Sequence, residues 1–198
     1  MPAVYPPAIL ILLYGVMPLW LLAGLADWAC HRATDLAHTA GPKESWLHLL
    51  MFAEVGTALL VGLFLEINAG VILVMICAFL AHEATSLWDV SYAVARRRVS
   101  PIEQHVHSFL ELLPLVAIVC VISAHWDAFL SLLGMGSAPA SFALEKKDPP
   151  LPGGYLAVLL VSIAALEVLP YLEELLRARR ASRRPLKADL AATALERW

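Results

Sequence analysis

The sequence predicts an all-α, polytopic membrane bundle of about five transmembrane helices. Three observations carry that prediction. The 198 residues are 60% hydrophobic and the mean hydropathy is +0.72, too apolar for a soluble domain of this size. Five apolar windows, about 8–26, 46–65, 70–90, 107–124 and 154–173, come close to the roughly 20 helical residues that the hydrocarbon core requires. The Lys and Arg residues fall on alternate connections. Alternating apolar strands of about ten residues, the mark of an outer-membrane barrel, are missing from the pattern.

Each span has its own justification. The first window carries no Lys or Arg before Arg32 and is too long for a signal-peptide core, so it reads as a retained span. The second, third and fourth windows are long enough only if their ionisable residues are counted, which places those residues on the helices. The turn around Asn68-Ala69-Gly70 is so short that the second and third spans must form an antiparallel hairpin. Residues 125–153 are the longest connection, rich in Pro, Gly, Ser and Ala, with Trp126 and Tyr155 near their ends as interfacial anchors. That connection carries no motif; a lid or a partner surface are the roles open to it. A transmembrane domain over 1–176 is followed by a basic tail, 177–198, in which Leu186, Leu190, Leu195 and Trp198 against the charges suggest a helix lying on the membrane.

Orientation follows from the cations. Arg32, Lys43, Arg96, Arg97, Arg98 and the seven Lys and Arg residues of the tail would share one side, against Lys146 and Lys147 on the other. The positive-inside bias then puts the N-terminus outside and the C-terminus in the cytoplasm. A multi-pass membrane location is expected, with lipids as the surrounding partners. Net charge is −3, so nothing global points to nucleic acid. Cys30, Cys77 and Cys120 are isolated, which gives no support to a zinc ribbon, a covalent c-type haem or a disulfide framework.

The functional signal is the ionisable set. Asp27, His31, Glu54, His82, Glu83, Asp89, Glu103, His107 and Glu111 lie on segments otherwise apolar enough to cross a membrane, where each costs several kcal/mol unless paired, solvated or metal-bound. At about 1.5 Å per residue, Asp27, Glu54, His82, Glu83 and Glu111 reach similar depth from the cytoplasmic side. His31, Asp89, Glu103 and His107 form a shallower layer. Six of the seven histidines fall in that half. Asp27, His31 and His38 form one helical stripe; His82, Ser86 and Asp89 form another; Glu103, His107 and Glu111 form a third.

Four helices that each turn a carboxylate or histidine inward meet the requirement of a carboxylate-bridged dinuclear metal site. Asp27, His31, Glu54, His82, Asp89, Glu103 and His107 are the candidate ligands, with Glu54 or Glu103 as the bridge. Glu83 and Glu111 are candidates for acid or base work. Mixed imidazole and carboxylate ligation favours two iron ions, with manganese or zinc as alternatives. Plainer readings stand beside these. Ser100-Pro101-Ile102-Glu103 is a capping box, Asp89 could pair with Arg96–Arg98, and Glu83 could bond to a neighbouring helix. His38 and His48 could be solvated near the interface, His105 points away from His107, and Glu66 and Glu167 could be structural.

Three function classes follow. The first is a metal-dependent oxidoreductase that takes a hydrophobic substrate from the bilayer near the cytoplasmic face and electrons from a separate cytoplasmic donor. Trp28, Trp46 and Trp88 could line its pocket. The second is a b-type cytochrome with haem b between histidines such as His31, His82 or His107; it leaves the carboxylates unexplained. The third is a proton or divalent-metal transporter, disfavoured because ionisable residues are nearly missing from the outer half.

The stretch from His82-Glu83 to Trp88-Asp89, followed by Pro101 to Glu111, resembles a family of small bacterial integral-membrane proteins without an assigned activity. The resemblance covers the first four spans and implies a bacterial inner-membrane protein, with no reaction attached. In concept the His-rich membrane site is similar to integral-membrane di-iron desaturases and hydroxylases. Their HxxHH clusters are missing here, and Glu103 and His107 stand at ExxxH rather than the ExxH of ferritin-like proteins.

Overall fold

The computed structural model describes residues 5–195, with side chains through Arg183. Among the described residues, five helices are long and apolar enough to cross a membrane. The first, α1, spans Pro7–Ala33. Its N-terminus exploits Pro7, whose missing N–H costs nothing in a first turn, and a π-helical turn interrupts it at Leu12–Val16. Asp35 in the left-handed region (φ 53°) then reverses the chain into the single turn α2, Leu36–Thr39. Gly41, at φ 72°, supplies the positive angle that admits α3, Pro42–Phe64. The hairpin partner α4 covers Ala69–Val94, started by Asn68 accepting from the Val71 amide. Helix α5 is Pro101–Ala124, and α6 is the short Trp126–Leu132. Helix α7 begins at Gly153–Ile163, passes a second π-helical turn at Ala164–Val168 and continues over Leu169–Leu195.

The helices extend past the apolar windows chiefly at one end, where the ionisable residues lie. The tail continues α7 through Leu195, and the amphipathic face expected at Leu186, Leu190, Leu195 and Trp198 lies outside the described side chains. Helix α4 packs along α3, α5 pairs with α1 and α4, and α7 closes the bundle against α1, α2 and α3.

Two apolar clusters hold the half away from the cationic connections. Leu13, Val16, Met17, Leu63, Leu113, Ala117 and Leu159 join α1, α3, α5 and α7. Val71, Met75, Ile118 and Val121 join α4 to α5. Leu60, Leu80, Leu87, Val119, Val158 and Val161 are exposed on the outer faces, 49–72% by residue, a lipid-facing surface that water would penalise.

The cationic end carries a belt in which cations cover aromatic rings: Lys43 lies 5.3 Å from Trp88 and 4.6 Å from Tyr92, Arg96 3.7 Å from Tyr92, and Arg179 5.0 Å from Trp46. At the opposite end the connection after α6 is docked. Residues 141–148 lie across the α3–α4 turn through Gly70 N–H to Ser141 O, Glu66 N–H to Glu145 O, and Lys147 N–H to Phe64 O.

Candidate metal centre

The ionisable end of the bundle contains two buried His/carboxylate groups, Asp27–His31–His107 and His31–Glu44–His48. In each, one ligand atom per residue lies within 4.8 Å of the others. The helices deliver them by stripes. Asp27 and His31 are one turn apart on α1, Glu44 and His48 one turn apart on α3, and Glu103 and His107 one turn apart on α5.

The keystone is Glu174 of α7, fully buried. Its two oxygens accept from His31 Nδ1 at 2.9 Å and His48 Nδ1 at 2.8 Å. One carboxylate therefore sets both tautomers and both ring planes. The imidazoles stack at 4.3 Å with 10° between planes, and both Nε2 atoms are left for another partner. A carboxylate on the far nitrogen is the common second partner of a metal-bound histidine.

The atoms around those Nε2 positions are charged, buried and poorly matched as hydrogen bonds. Asp27 Oδ1 lies 3.3 Å from His31 Nε2 and 2.9 Å from His107 Nε2. Glu103 Oε1 lies 3.5 Å from His31 Nε2, and Asp89 Oδ2 lies 3.4 Å from His48 Nε2. Yet Asp27 Oδ1, His31 Nε2, Glu44 Oε2, His48 Nε2, Asp89 Oδ1 and Glu103 Oε1 are all buried without a hydrogen bond of adequate geometry. Buried polar atoms are rarely left so. Imidazolium rings would aim their N–H bonds at these oxygens. Donor atoms that converge without aligned protons instead fit metal ligation.

Charge supports the same reading. Among the described residues six carboxylates are buried, Asp27, Glu44, Asp89, Glu103, Glu167 and Glu174, against one buried guanidinium, Arg97, which of these six pairs only with Glu44 and Glu103. Bound cations would offset that excess of buried carboxylates. The donor set is nitrogen and oxygen without thiolate, since Cys30 is half-buried and belongs to neither group.

Arg97 sits just beyond α4. It pairs through its guanidinium with Glu44, at 2.8 Å from Nε, and with Glu103 at 2.6 Å from Nη2. Both carboxylates hold its pKa above the ordinary arginine value. Tyr171 closes the α7 side, its hydroxyl donating within 3.2 Å of Asp27 Oδ2.

The sequence-derived candidates divide. Asp27, His31, Glu103 and His107 meet at one point, and Asp89 reaches His48. Glu103 holds both of its roles: Oε2 accepts from the Ser100 amide as the capping box requires, while Oε1 faces Arg97 and His31. Among the described residues Asp89 pairs with His48, and Arg97 pairs with Glu44 and Glu103 instead. Glu54 is not brought to either group; it accepts from Thr85 at 2.8 Å on the α3–α4 seam. His82 lies at the wall, its ring facing the Leu110 carbonyl that Pro114 deprives of a helical donor. Glu111 accepts from Ser86 at 3.1 Å and lines the same small cavity, about 80 Å³. Glu83 does not line that cavity.

His48 was expected to be solvated near the interface and is instead 4% exposed. Helix α3 turns its Glu44–His48 face inward, and Glu54, six residues beyond His48, consequently faces elsewhere. Glu44, Arg97, Tyr171 and Glu174 were missed. A signal existed for most: Glu44 and His48 at i and i+4, and Glu167, Tyr171, Glu174 and Ala178 at i, i+4, i+7 and i+11, all buried. Arg97 belongs to no stripe. Trp28, Trp46 and Trp88 lie on the outside of the bundle beneath Arg32, Arg179 and Lys43. Glu167, projected by the second π-helical turn, packs on Gly24 so closely that a Cβ there would lie 2.1 Å from its Oε2.

Comparison of the chain with known family models, curated proteins and solved structures finds no match. The resemblance to small bacterial membrane proteins thus attaches to no named family.

Proposed function

We propose that the protein is an intramembrane oxidoreductase whose buried centre holds two divalent metal ions, iron in preference to manganese or zinc. The observation that carries this reading is Glu174 bridging His31 Nδ1 and His48 Nδ1, which leaves two parallel imidazoles whose Nε2 atoms, buried without a hydrogen bond, face the carboxylates of Asp27, Glu103 and Asp89. Asp27, His31, Glu103 and His107 would hold one ion; His48, Glu44 and Asp89 would serve the other. When bound, such a pair supplies oxygen activation, with electrons delivered by a separate donor.

The chain's own residues do the rest. Glu174 and Tyr171 orient ligands, Arg97 holds Glu44 and Glu103 in place, and the apolar half of the bundle excludes water. Glu111 and His82, on the cavity wall beside the ligands, are placed to hold or pass a proton. With the cationic end in the cytoplasm and the N-terminus outside, as the positive-inside bias indicates for a bacterial inner membrane, the donor would dock at Arg32, Lys43 and Arg96–Arg98.

Haem b fits poorly. His31 and His48 stack face to face rather than opposing each other across a macrocycle, and the cavity beside them is too small for one. A transport pathway fits poorly too, because the chain above the centre is lined by apolar side chains.

The test is metal analysis of the full chain purified in mild detergent. About two irons per chain, lost in His31→Ala and in His107→Ala, is the expected result. Well-folded protein that binds no metal, or that shows a Soret band, would overturn the reading.

A further inference from the structure

Above the metal centre lies an elongated apolar cavity of about 330 Å³ that the centre itself does not use. It follows α1 from Ile9 to Trp20 and the end of α5 from His125, the residue that caps the helix, down to Pro114, eleven residues in each case, or about 16 Å at the helical rise. Its floor meets the metal-side cavity. Trp20 and Val55 line both, and on the other helices the lining steps one turn from chamber to centre: Phe79 to His82, and Pro114 to Leu110. A third cavity of about 240 Å³, against Leu159, Ile163 and Glu167 of α7, shares Trp20, Val55 and Leu59 with the chamber and adjoins it sideways. The first π-helical turn, Leu12–Val16, runs along the same wall.

The two ends differ in chemistry. The floor is apolar. The mouth carries Glu66, His125, Lys147 and Asp148. Lys147 donates to the Gly62 carbonyl at 2.8 Å, and Glu66 accepts from the Asp148 amide. Burial and the Lys147 ammonium hold His125 below the ordinary imidazole range, so it is uncharged at neutral pH. One ammonium against two carboxylates gives no excess positive charge. A carboxylate or phosphate headgroup would meet repulsion, whereas a hydroxyl or carbonyl finds donors and acceptors.

We infer that this chamber binds a single-chain lipid with an uncharged polar head, seated with its head at Lys147 and His125 and its chain end at the Trp20–Val55 wall. The volume is at the low end for a small-molecule site, room for one chain and not for a two-chain phospholipid. The inference rests on the proposed function for its meaning, since it makes the chain end, not the head, the part presented to the metal centre. Trp20 and Val55 would then decide how far the chain reaches.

The test uses the full chain in mild detergent with its metal content measured on the same sample. Dodecanol carrying a diazirine at the far end of its chain is photolysed with the protein, and adducts are mapped by peptide mass spectrometry. Adducts are expected at Trp20, Val55 and Phe79, competed by plain dodecanol. They should fall at least about tenfold in Ala117→Phe and in Ala58→Leu, which fill the chamber from α5 and α3. Dodecanoate should compete about tenfold less well than dodecanol.

Labelling confined to the lipid-facing Leu80, Leu87 and Val119 overturns the chamber, and so does labelling unaffected by both filling variants. Equal or better competition by dodecanoate overturns the uncharged head. The competition series needs no variant and stands if either substitution prevents folding. Retained labelling in protein that holds no metal supports the chamber and overturns the metal reading; metal-loaded protein without chamber adducts does the reverse.

Discussion

Replacing Glu174 by glutamine tests the arrangement at its keystone. The carboxylate accepts from His31 Nδ1 at 2.9 Å and from His48 Nδ1 at 2.8 Å, with no exposure to water. A glutamine of the same shape has one acceptor oxygen and an NH2 group that can only donate. It can therefore keep one histidine and must release the other, whose ring is then free to change tautomer or rotate. Loss of such a partner weakens metal binding by about 10–100-fold, which is about 1.4–2.8 kcal/mol. Alanine releases both rings and adds a buried void, so its loss should exceed that of glutamine.

Competition against a chelator of graded concentration, read as metal per chain, measures the effect in the folded protein. Glu173→Gln, one residue away and exposed towards Arg32 and Arg177, is the control and should change nothing. Unaltered affinity in Glu174→Gln, when His31→Ala abolishes binding, would refute the claim that Glu174 orients the ligands.

Other outcomes follow from the same contacts. Arg97→Met leaves Glu44 and Glu103 buried without their cation and should cost about 3–5 kcal/mol in a detergent melt; adding Glu44→Gln should recover part of it. Gly24→Ala places a Cβ 2.1 Å from Glu167 Oε2, the far end of a flexible side chain, so the Glu167 carboxylate must swing away from α1 at a cost of no more than about 1–3 kcal/mol, and Glu167→Ala in the same chain should relieve the loss. His125, held below its ordinary value of 6.5 by burial and Lys147, takes up a proton in the unfolded chain before the folded one. Stability is therefore lost as pH falls from about 6.5 through the lower folded value, and His125→Gln should flatten that acid limb of the melting curve. Lowering pH should also strip metal from the centre, as protons compete for imidazole and carboxylate, with release followed by a metal-sensitive dye.

Much of the architecture is local and was readable from the chain. A span is a run of apolar residues, and a run is visible in one dimension. The five helices, the tight α3–α4 turn, the capping box at Ser100 and the gathering of ionisable residues at one end all follow from composition and spacing. Depth is local as well, because 1.5 Å per residue converts sequence position into height. Depth put His31, Glu103 and His107 in one layer; Asp27, read one layer deeper, joins them through its one-turn spacing from His31.

Rotation about each helix axis is not local. Both Glu54 and His48 are polar positions on α3, and only packing against α4 and α7 decides that His48 turns inward while Glu54 faces Thr85. Nor does any short-range rule bring the fifth span to the centre. Glu174 is 143 residues from His31 and 126 from His48, and its place depends on α7 closing against α1, α2 and α3. Composition and spacing are enough to place a charged, His-bearing layer at one end of five membrane helices. Which atoms converge there depends on packing between distant segments, because burying six carboxylates is tolerable only where remote helices supply Arg97, three imidazoles and room for compensating positive charge.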